Sequence, residues 1–229
     1  MTADVSSLVD ALGDAPTDTV TTNPVVLENY RADWTRQPDA GTPIAVARPR
    51  TAEQVATVVG WANQNGVPVV PRGAGTGLSG GSSAVDGGIV LSLERMTAIE
   101  IDPDTRVAIV EPGALNAAVK QAAADAGLWY PPDPSSFEIC SIGGNIATNA
   151  GGLCCVKYGV TSDYVLGLDV VLADGRLIRL GGPRIKDVAG LSLVKLMVGS
   201  EGTLGVVTRA VLRLLPPQPP RGTLIATFP

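Results

Sequence analysis

The placement of glycine constrains this chain more than any other feature. The residues gather in three separated runs: Pro71-Arg-Gly-Ala-Gly-Thr-Gly-Leu-Ser-Gly-Gly81, Ser141-Ile-Gly-Gly-Asn-Ile-Ala-Thr-Asn-Ala-Gly-Gly152 and Gly199-Ser-Glu-Gly-Thr-Leu-Gly205. Glycine lets backbone N–H groups turn toward a ligand and removes the Cβ that would keep the ligand away. Loops that converge in this way form anion-binding concavities. One run could be a turn. Three runs of low charge point to a long ligand lying along the backbone.

The chain has 229 residues, enough for one large domain or two small ones, and its 27 Gly and 18 Pro favour a loop-rich α+β fold over a helical bundle. Lys plus Arg number 17 against 22 Asp plus Glu, and the basic residues are scattered, which makes nucleic acid and anionic membrane poor partners. The three cysteines are an odd number and two are adjacent, Cys154 and Cys155. That is no disulfide framework, so a reducing, cytoplasmic setting is expected. No apolar run is long enough to span a bilayer, and the first residues lack a signal-peptide pattern. Histidine is absent. That excludes a histidine-based triad, a His-ligated metal and a histidyl flavin link in these residues, and Cys154-Cys155 has no second pair to complete a zinc site. No metal is expected. Acid–base work falls to carboxylate, Lys, Tyr, Arg or a cofactor.

Along the chain, Val5, Leu8, Val9 and Leu12 define a short amphipathic helix stopped by Gly13, and a Pro-dotted loop follows. Ile44 to Ala47 reads as a strand. Thr51 and Gln54 form a capping-box pattern for a helix carrying Val55, Val58, Val59 and Ala62, ended by Gly66. Val67 to Val70 is predicted as a buried strand entering the first glycine run, and Ile89 to Leu93 as the next. Ile99 to Ile101 and Val107 to Val110 suggest a hairpin. Leu115, Ala118, Val119 and Ala122 mark a helix ended by Gly127. Tyr130 to Gly152 is predicted as one long structured loop. Ala173-Asp-Gly175 is a hairpin turn between Val165 and Leu180. A short helix over Leu193 to Val198 precedes the third run, and Gly205 to Leu215 is a closing strand. Pro216 to Pro220 reads as a stiff linker. Thr223 to Phe228 looks like a strand, either the start of a further domain or a strand folding back on this one.

The first run fails the dinucleotide fingerprint, because a strand rather than a helix follows Gly77, and it lacks the Gly-Lys-Ser/Thr of a P-loop. It is a phosphate nest, with Arg72 as an added donor, or a structural glycine turn. The second run, with Asn145, Thr148 and Asn149, suits a wall against a flat ring with a polar edge, or tight backbone packing. Glu201 is a turn carboxylate or part of a cofactor pocket. Cys140, Cys154 and Cys155 read as small packing residues rather than reactive thiols. Lys157-Tyr158 is a surface lysine beside a packed tyrosine, or a reach toward a carboxylate or cofactor.

Taken together, the three runs, Val156-Lys-Tyr-Gly159 and Val165-Leu-Gly-Leu-Asp-Val-Val-Leu-Ala-Asp-Gly175 resemble the FAD-linked oxidases of the vanillyl-alcohol oxidase and p-cresol methylhydroxylase type. Within them, the glycolate oxidase and D-lactate dehydrogenase branch is most similar, from about Pro43 to Pro217. The flavin domain is shared with reductases of the UDP-N-acetylenolpyruvoylglucosamine type, but the second and third runs fit the oxidases better. The resemblance implies a lead-in over residues 1–42, a PCMH-type FAD-binding domain of two α+β subdomains over 43–217, and the linker and first strand of a C-terminal substrate or cap domain over 218–229, the rest of that domain being absent.

It also implies a site. Pro71, Arg72, Gly73, Ala74, Gly75, Thr76 and Gly77, with Gly80 and Gly81, match the loop that wraps the pyrophosphate. Ser141, Gly143, Gly144, Ala147, Thr148, Gly151 and Gly152 match the wall of the isoalloxazine and its phosphate side. Pro134 and Ser135 fall where the family places residues close to the flavin, Tyr158 and Gly159 belong to the fourth motif, and Glu201, Gly202, Gly205 and Val207 fall near the adenosine. Cys154 stands where an Arg is expected, and Leu191-Ser-Leu departs from a more usual Tyr-Asp-Leu. The implied activity is oxidation of a 2-hydroxy acid of the glycolate or D-lactate class with noncovalent FAD and an external electron acceptor. The catalytic base is not identifiable in these residues. The alternative is a catalytically incomplete FAD-binding module needing a partner subunit or a further domain.

Overall fold

The computed structural model describes residues 4–218, 222 and 224–228. Its first sheet contains β1 (Val20–Thr21), β2 (Ala45–Ala47), β3 (Val69–Arg72) and β4 (Ile89–Ser92), in the order β1-β2-β4-β3. β2, β4 and β3 are parallel, and β1 pairs antiparallel at the edge. Parallel strands need crossovers. The helix α3 (Ala52–Asn65) carries the chain from β2 to β3, after α1 (Val5–Ala11) and α2 (Pro24–Asn29) have led in. Thr51 caps α3 by accepting from the Gln54 amide, and Gly66 closes it at φ +64°. The predicted box shifts by one residue, since the Gln54 side chain accepts from the Arg50 amide at 2.8 Å rather than from Thr51. The apolar face of α3 (Val55, Val58, Val59, Trp61 and Ala62) packs on Leu8, Ala45, Ala47, Ile89 and Leu91.

The second sheet is antiparallel, in the order β5-β6-β9-β7-β8. Its strands are β5 (Ile99–Asp102), β6 (Val107–Val110), β7 (Val165–Val171), β8 (Leu177–Gly181) and β9 (Val206–Arg213). The helices α4 (Asn116–Asp125), α5 (Ile142–Thr148), α6 (Cys155–Tyr158) and α7 (Leu193–Met197) complete this half. Val119 and Ala123 of α4 and Ile142 and Ile146 of α5 share one core with Ala108, Val110, Leu168, Val170, Ala210 and Leu212. Val171 and Val206 belong to the core under α3, so the two sheets meet through a common apolar layer.

Several expectations are corrected. The stretch Tyr130 to Gly152 is not one loop, because Ile142–Thr148 is helical. Two glycines oppose a helix, but burial of Ile142 and Ile146 four residues apart, with Ser141 as cap, outweighs them. The predicted strand Val67 to Val70 starts later, at Val69, because the Val67 amide is taken by the Ala62 carbonyl closing α3. Its residues are half-buried up to Arg72. The Pro-dotted loop contains β1 and α2, and Asn23 caps the latter. Leu224 to Phe228 form no strand and their apolar side chains are exposed; Thr223, Pro219 and Pro220 lie outside the described residues. Among the described residues no helix is long and apolar enough to cross a membrane.

Candidate functional site

β3 ends at Arg72, paired with Ser92 of its parallel neighbour, and the first glycine run makes the crossover from the carboxyl end of that strand. Ligands of open α/β sheets sit outside such strand ends. The run is shaped from within. Gly75 is buried, has φ +72°, and a Cβ there would stand 2.6 Å from Arg72 Cζ. The Arg72 guanidinium donates to the carbonyls of Ser82 and Ala32, each at 3.1 Å, and lies 5.7 Å over the Tyr30 ring. Arg72 therefore organises the loop from inside, with both of its terminal nitrogens donating to protein carbonyls. Burial pulls its pKa down, with Asp33 and Tyr30 acting against that. An arginine stays charged in any case.

Two further segments close on this loop. The Ser141 hydroxyl accepts from the amides of Ala74 (3.3 Å) and Gly144 (3.4 Å), joining the first run to α5. Gly143 sits against Pro112, where a Cβ would come within 2.7 Å of Pro112 Cβ. The third run is clipped to the end of α5, since the Gly199 amide donates to Ile146 and the Glu201 amide to Ala147, both at 2.9 Å. A cleft of about 1080 Å³, counting space open to solvent, lies between the three.

The wall beside α5 is held by buried polar bonds. Asn116 donates to Asn145 at 2.9 Å and Asn145 to the Cys140 sulfur at 3.1 Å. The Lys120 ammonium donates to the carbonyls of Tyr130 (2.7 Å) and Pro131 (3.3 Å), fixing the strip that leads to Asp133. Burial lowers the Lys120 pKa and Asp133 opposes the shift.

The lining suits a long diphosphate with a flat ring. Among the described residues the amides of Gly75, Thr76 and Gly77 have no protein acceptor, and buried N–H groups are seldom left unpaired. A Cβ at Gly144 would meet only Ser141 Oγ, at 3.4 Å, and one at Gly77 only Asp33 Oδ2, at 3.6 Å. Both glycines thus face open space that a side chain would fill. Among the described residues no cluster of His, Cys, Asp or Glu could hold a metal.

Of the residues picked out by sequence, Pro71, Arg72, Gly73, Ala74, Gly75, Thr76, Gly77, Gly81, Pro134, Ser141, Gly143, Gly144, Ala147, Thr148, Glu201, Gly202, Gly205 and Val207 line this one cleft. Gly80, Ser135, Gly151, Gly152, Tyr158 and Gly159 do not. Gly80 packs toward Gln37, Gly152 against Asp133, and Tyr158 edge-on to Trp129 at 4.7 Å between ring centres. The structure adds Asp33, Ser136, Cys140, Met197 and Ser200 to the lining. Nothing local marks them, apart from Ser200 lying inside the third run and Ser136 beside Pro134.

The family profile described as "FAD binding domain" matches residues 43–181. The chain is 49% identical over 187 residues to glycolate oxidase subunit GlcD of Bacillus subtilis, covering 81% of this chain and 40% of that protein. It is 46% identical over 203 residues to D-lactate dehydrogenase of Archaeoglobus fulgidus, covering 87% of this chain and 46% of that protein. The solved structure of an alkyldihydroxyacetonephosphate synthase superposes with a TM-score of 0.79 at 23% identity, over 93% of this chain and 44% of that one. The chain thus spans less than half the length of the curated relatives it matches.

Proposed function

The chain belongs to the FAD-binding domain family, and from that premise we propose that it supplies the noncovalent FAD site of an enzyme oxidising a 2-hydroxy acid of the glycolate or D-lactate class. The observation that carries the reading is that Gly75, Thr76 and Gly77, whose amides have no protein acceptor among the described residues, line a cleft whose other walls are α5 and residues 200–207. The names of the two relatives supply the substrate class. Bound FAD supplies the two-electron acceptor that a 2-hydroxy acid needs in becoming a 2-oxo acid.

The chain's own part is positional. Neutral N–H donors at Gly75 to Gly77 would take the diphosphate charge, while Arg72 braces the loop through the Ser82 and Ala32 carbonyls. Gly144, Ala147 and Thr148 bring α5 close to a flat ring, because none carries a long side chain. Met197, Val206 and Val207 keep water from the inner wall. No histidine of this chain can take the substrate hydroxyl proton, since these residues hold none. No lining residue is assigned that task, and the electron acceptor lies outside the chain.

A second reading, an FAD-binding module completed by a partner subunit or further domain, is favoured by one observation. Leu153 and Val156, which flank the adjacent cysteines, are 95% and 98% exposed, as apolar residues are at surfaces that meet a partner. The Bacillus relative is itself named a subunit. An absorbance spectrum of the purified chain, followed by anaerobic addition of glycolate or D-lactate, tests both readings. Bound flavin that bleaches supports a complete substrate site. Bound flavin that stays oxidised supports the module. Failure to hold FAD after incubation with it would refute both.

A further inference from the structure

The segment of residues 30–41 lies ahead of the matched domain at 43–181, yet it is bonded to the first glycine run at both its ends. The Trp34 amide donates to the Gly75 carbonyl at 3.1 Å, inside the loop. At the far end the Ala84 amide donates to Arg31 at 2.8 Å and the Asp33 amide to the Ser83 hydroxyl at 3.3 Å. Arg72 spans the two segments, with one nitrogen on Ala32 and the other on Ser82. Tyr30, whose ring lies beneath that guanidinium, is itself fixed by a 2.6 Å bond from its hydroxyl to Glu94.

Asp33 is the centre of this brace. It is 4% exposed and Arg72 is 9% exposed; Arg72 donates to the carbonyl of Ala32, the residue before Asp33, and the Asp33 charge favours the protonated guanidinium without a direct ion pair to it among the described residues. A charge buried with its partner is tolerable, whereas removing one member leaves the other uncompensated. One Asp33 oxygen takes the amide and hydroxyl of Thr35. The other lies along the loop, 3.6 Å from where a Gly77 Cβ would be. The loop has no regular ladder of its own, and it is tied to residues 31–34 through the Gly75, Arg31 and Ala32 carbonyls and the Ser83 hydroxyl.

We infer that Asp33 is a positioning residue for the diphosphate cradle: with Arg72 it sets the glycine loop in its binding form before the cofactor arrives. The inference rests on the reading that this loop takes the FAD diphosphate. Preorganisation of this kind acts by reducing the ordering cost of binding. It therefore affects ligands that carry the diphosphate and spares a flavin that lacks it.

The test is titration of the purified chain, with FAD and with riboflavin, for the wild type, Asp33→Asn and Ser83→Ala, followed by flavin fluorescence. For Asp33→Asn the FAD Kd is expected to rise about tenfold, with the riboflavin Kd within about twofold of wild type. For Ser83→Ala, a milder change that keeps both the Asp33 carboxylate and the Arg72 guanidinium, about a threefold rise for FAD alone is expected. Unchanged FAD affinity in both variants would overturn the inference, and so would parallel weakening of FAD and riboflavin, the mark of general damage to the cleft. Should Asp33→Asn not fold, the Ser83→Ala comparison decides in the same way. A wild-type chain that binds riboflavin but gains nothing from the diphosphate of FAD would sink the functional reading and this inference with it.

Discussion

Replacing Gly75 with alanine tests the amide cradle at its tightest point. Glycine sits there at φ +72°, a region that costs an L-residue about 1–2 kcal/mol. The new Cβ would stand 2.6 Å from Arg72 Cζ. That guanidinium cannot swing away cheaply, because it is buried and bonded to two carbonyls, and a hydrogen bond to a charged group contributes about 1.5–3 kcal/mol. The loop yields first, since the amides of Gly75, Thr76 and Gly77 have no protein acceptors to lose and only the Gly75 carbonyl is tied, to the Trp34 amide. Retaining Arg72 and moving the loop costs the folded protein the strain, about 1–2 kcal/mol, and withdraws an amide from the diphosphate, a charge-assisted bond of about 1.5–3 kcal/mol, or roughly ten- to a hundredfold in FAD Kd. Both sheets keep their ladders, so far-UV circular dichroism should be unchanged and the melting temperature should fall by only about 3–6 °C. Gly87→Ala is the control: its φ is +69° and a Cβ there meets nothing within 4 Å, so it carries the strain without the collision and should leave FAD binding intact. A Gly75→Ala Kd within threefold of wild type would refute the argument that this loop, held by Arg72, presents the amides.

Three further outcomes follow from the same geometry. Gly144→Ala places a methyl group on the cleft side of α5, where only Ser141 Oγ is near; it should stabilise the helix by about 0.5–1 kcal/mol while weakening FAD several-fold, and tighter FAD binding would contradict the placement. Ser141→Ala removes the α5 cap and the tie to Ala74, so denaturant unfolding should show a loss of about 1 kcal/mol, together with weaker FAD binding. The Tyr130 hydroxyl is buried without a hydrogen-bond partner, so Tyr130→Phe should be neutral or stabilising by up to about 1 kcal/mol at pH 7. Burial, then Cys140 and Tyr164, push the Tyr130 phenol above its ordinary 10.0. Above pH ~10 the unfolded chain releases this proton while the folded chain keeps it, so the wild type should lose about 1.4 kcal/mol per pH unit that Tyr130→Phe does not. Parallel pH curves for the two proteins would show that the phenol is not shielded.

Features governed by neighbouring residues were legible in the chain itself. Thr51 and Gly66 mark the ends of α3 because capping is a local bond and a local φ. Ala173-Asp-Gly175 marks its hairpin because Gly175, at φ +84°, makes the turn. The glycine runs pointed to a backbone shaped for a ligand, and together with Val156–Gly159 and Val165–Gly175 they carried the resemblance to the family. The absence of histidine excluded histidine-based chemistry within these residues without any structure. Tertiary contact decided the rest. α5 is a helix against its own glycines because Ile142 and Ile146 reach the core of the second sheet, a gain invisible to local propensity. Arg72 reads as a phosphate donor in a linear motif, but only the return of residues 31–34 brings the Ala32 carbonyl that turns it inward. Asp33 carries no local signal at all; its place at the cleft depends on a segment about forty residues away in sequence folding over the loop. Local bonds can be read from adjacent letters, whereas the direction of a buried charged side chain depends on partners that only the folded chain assembles.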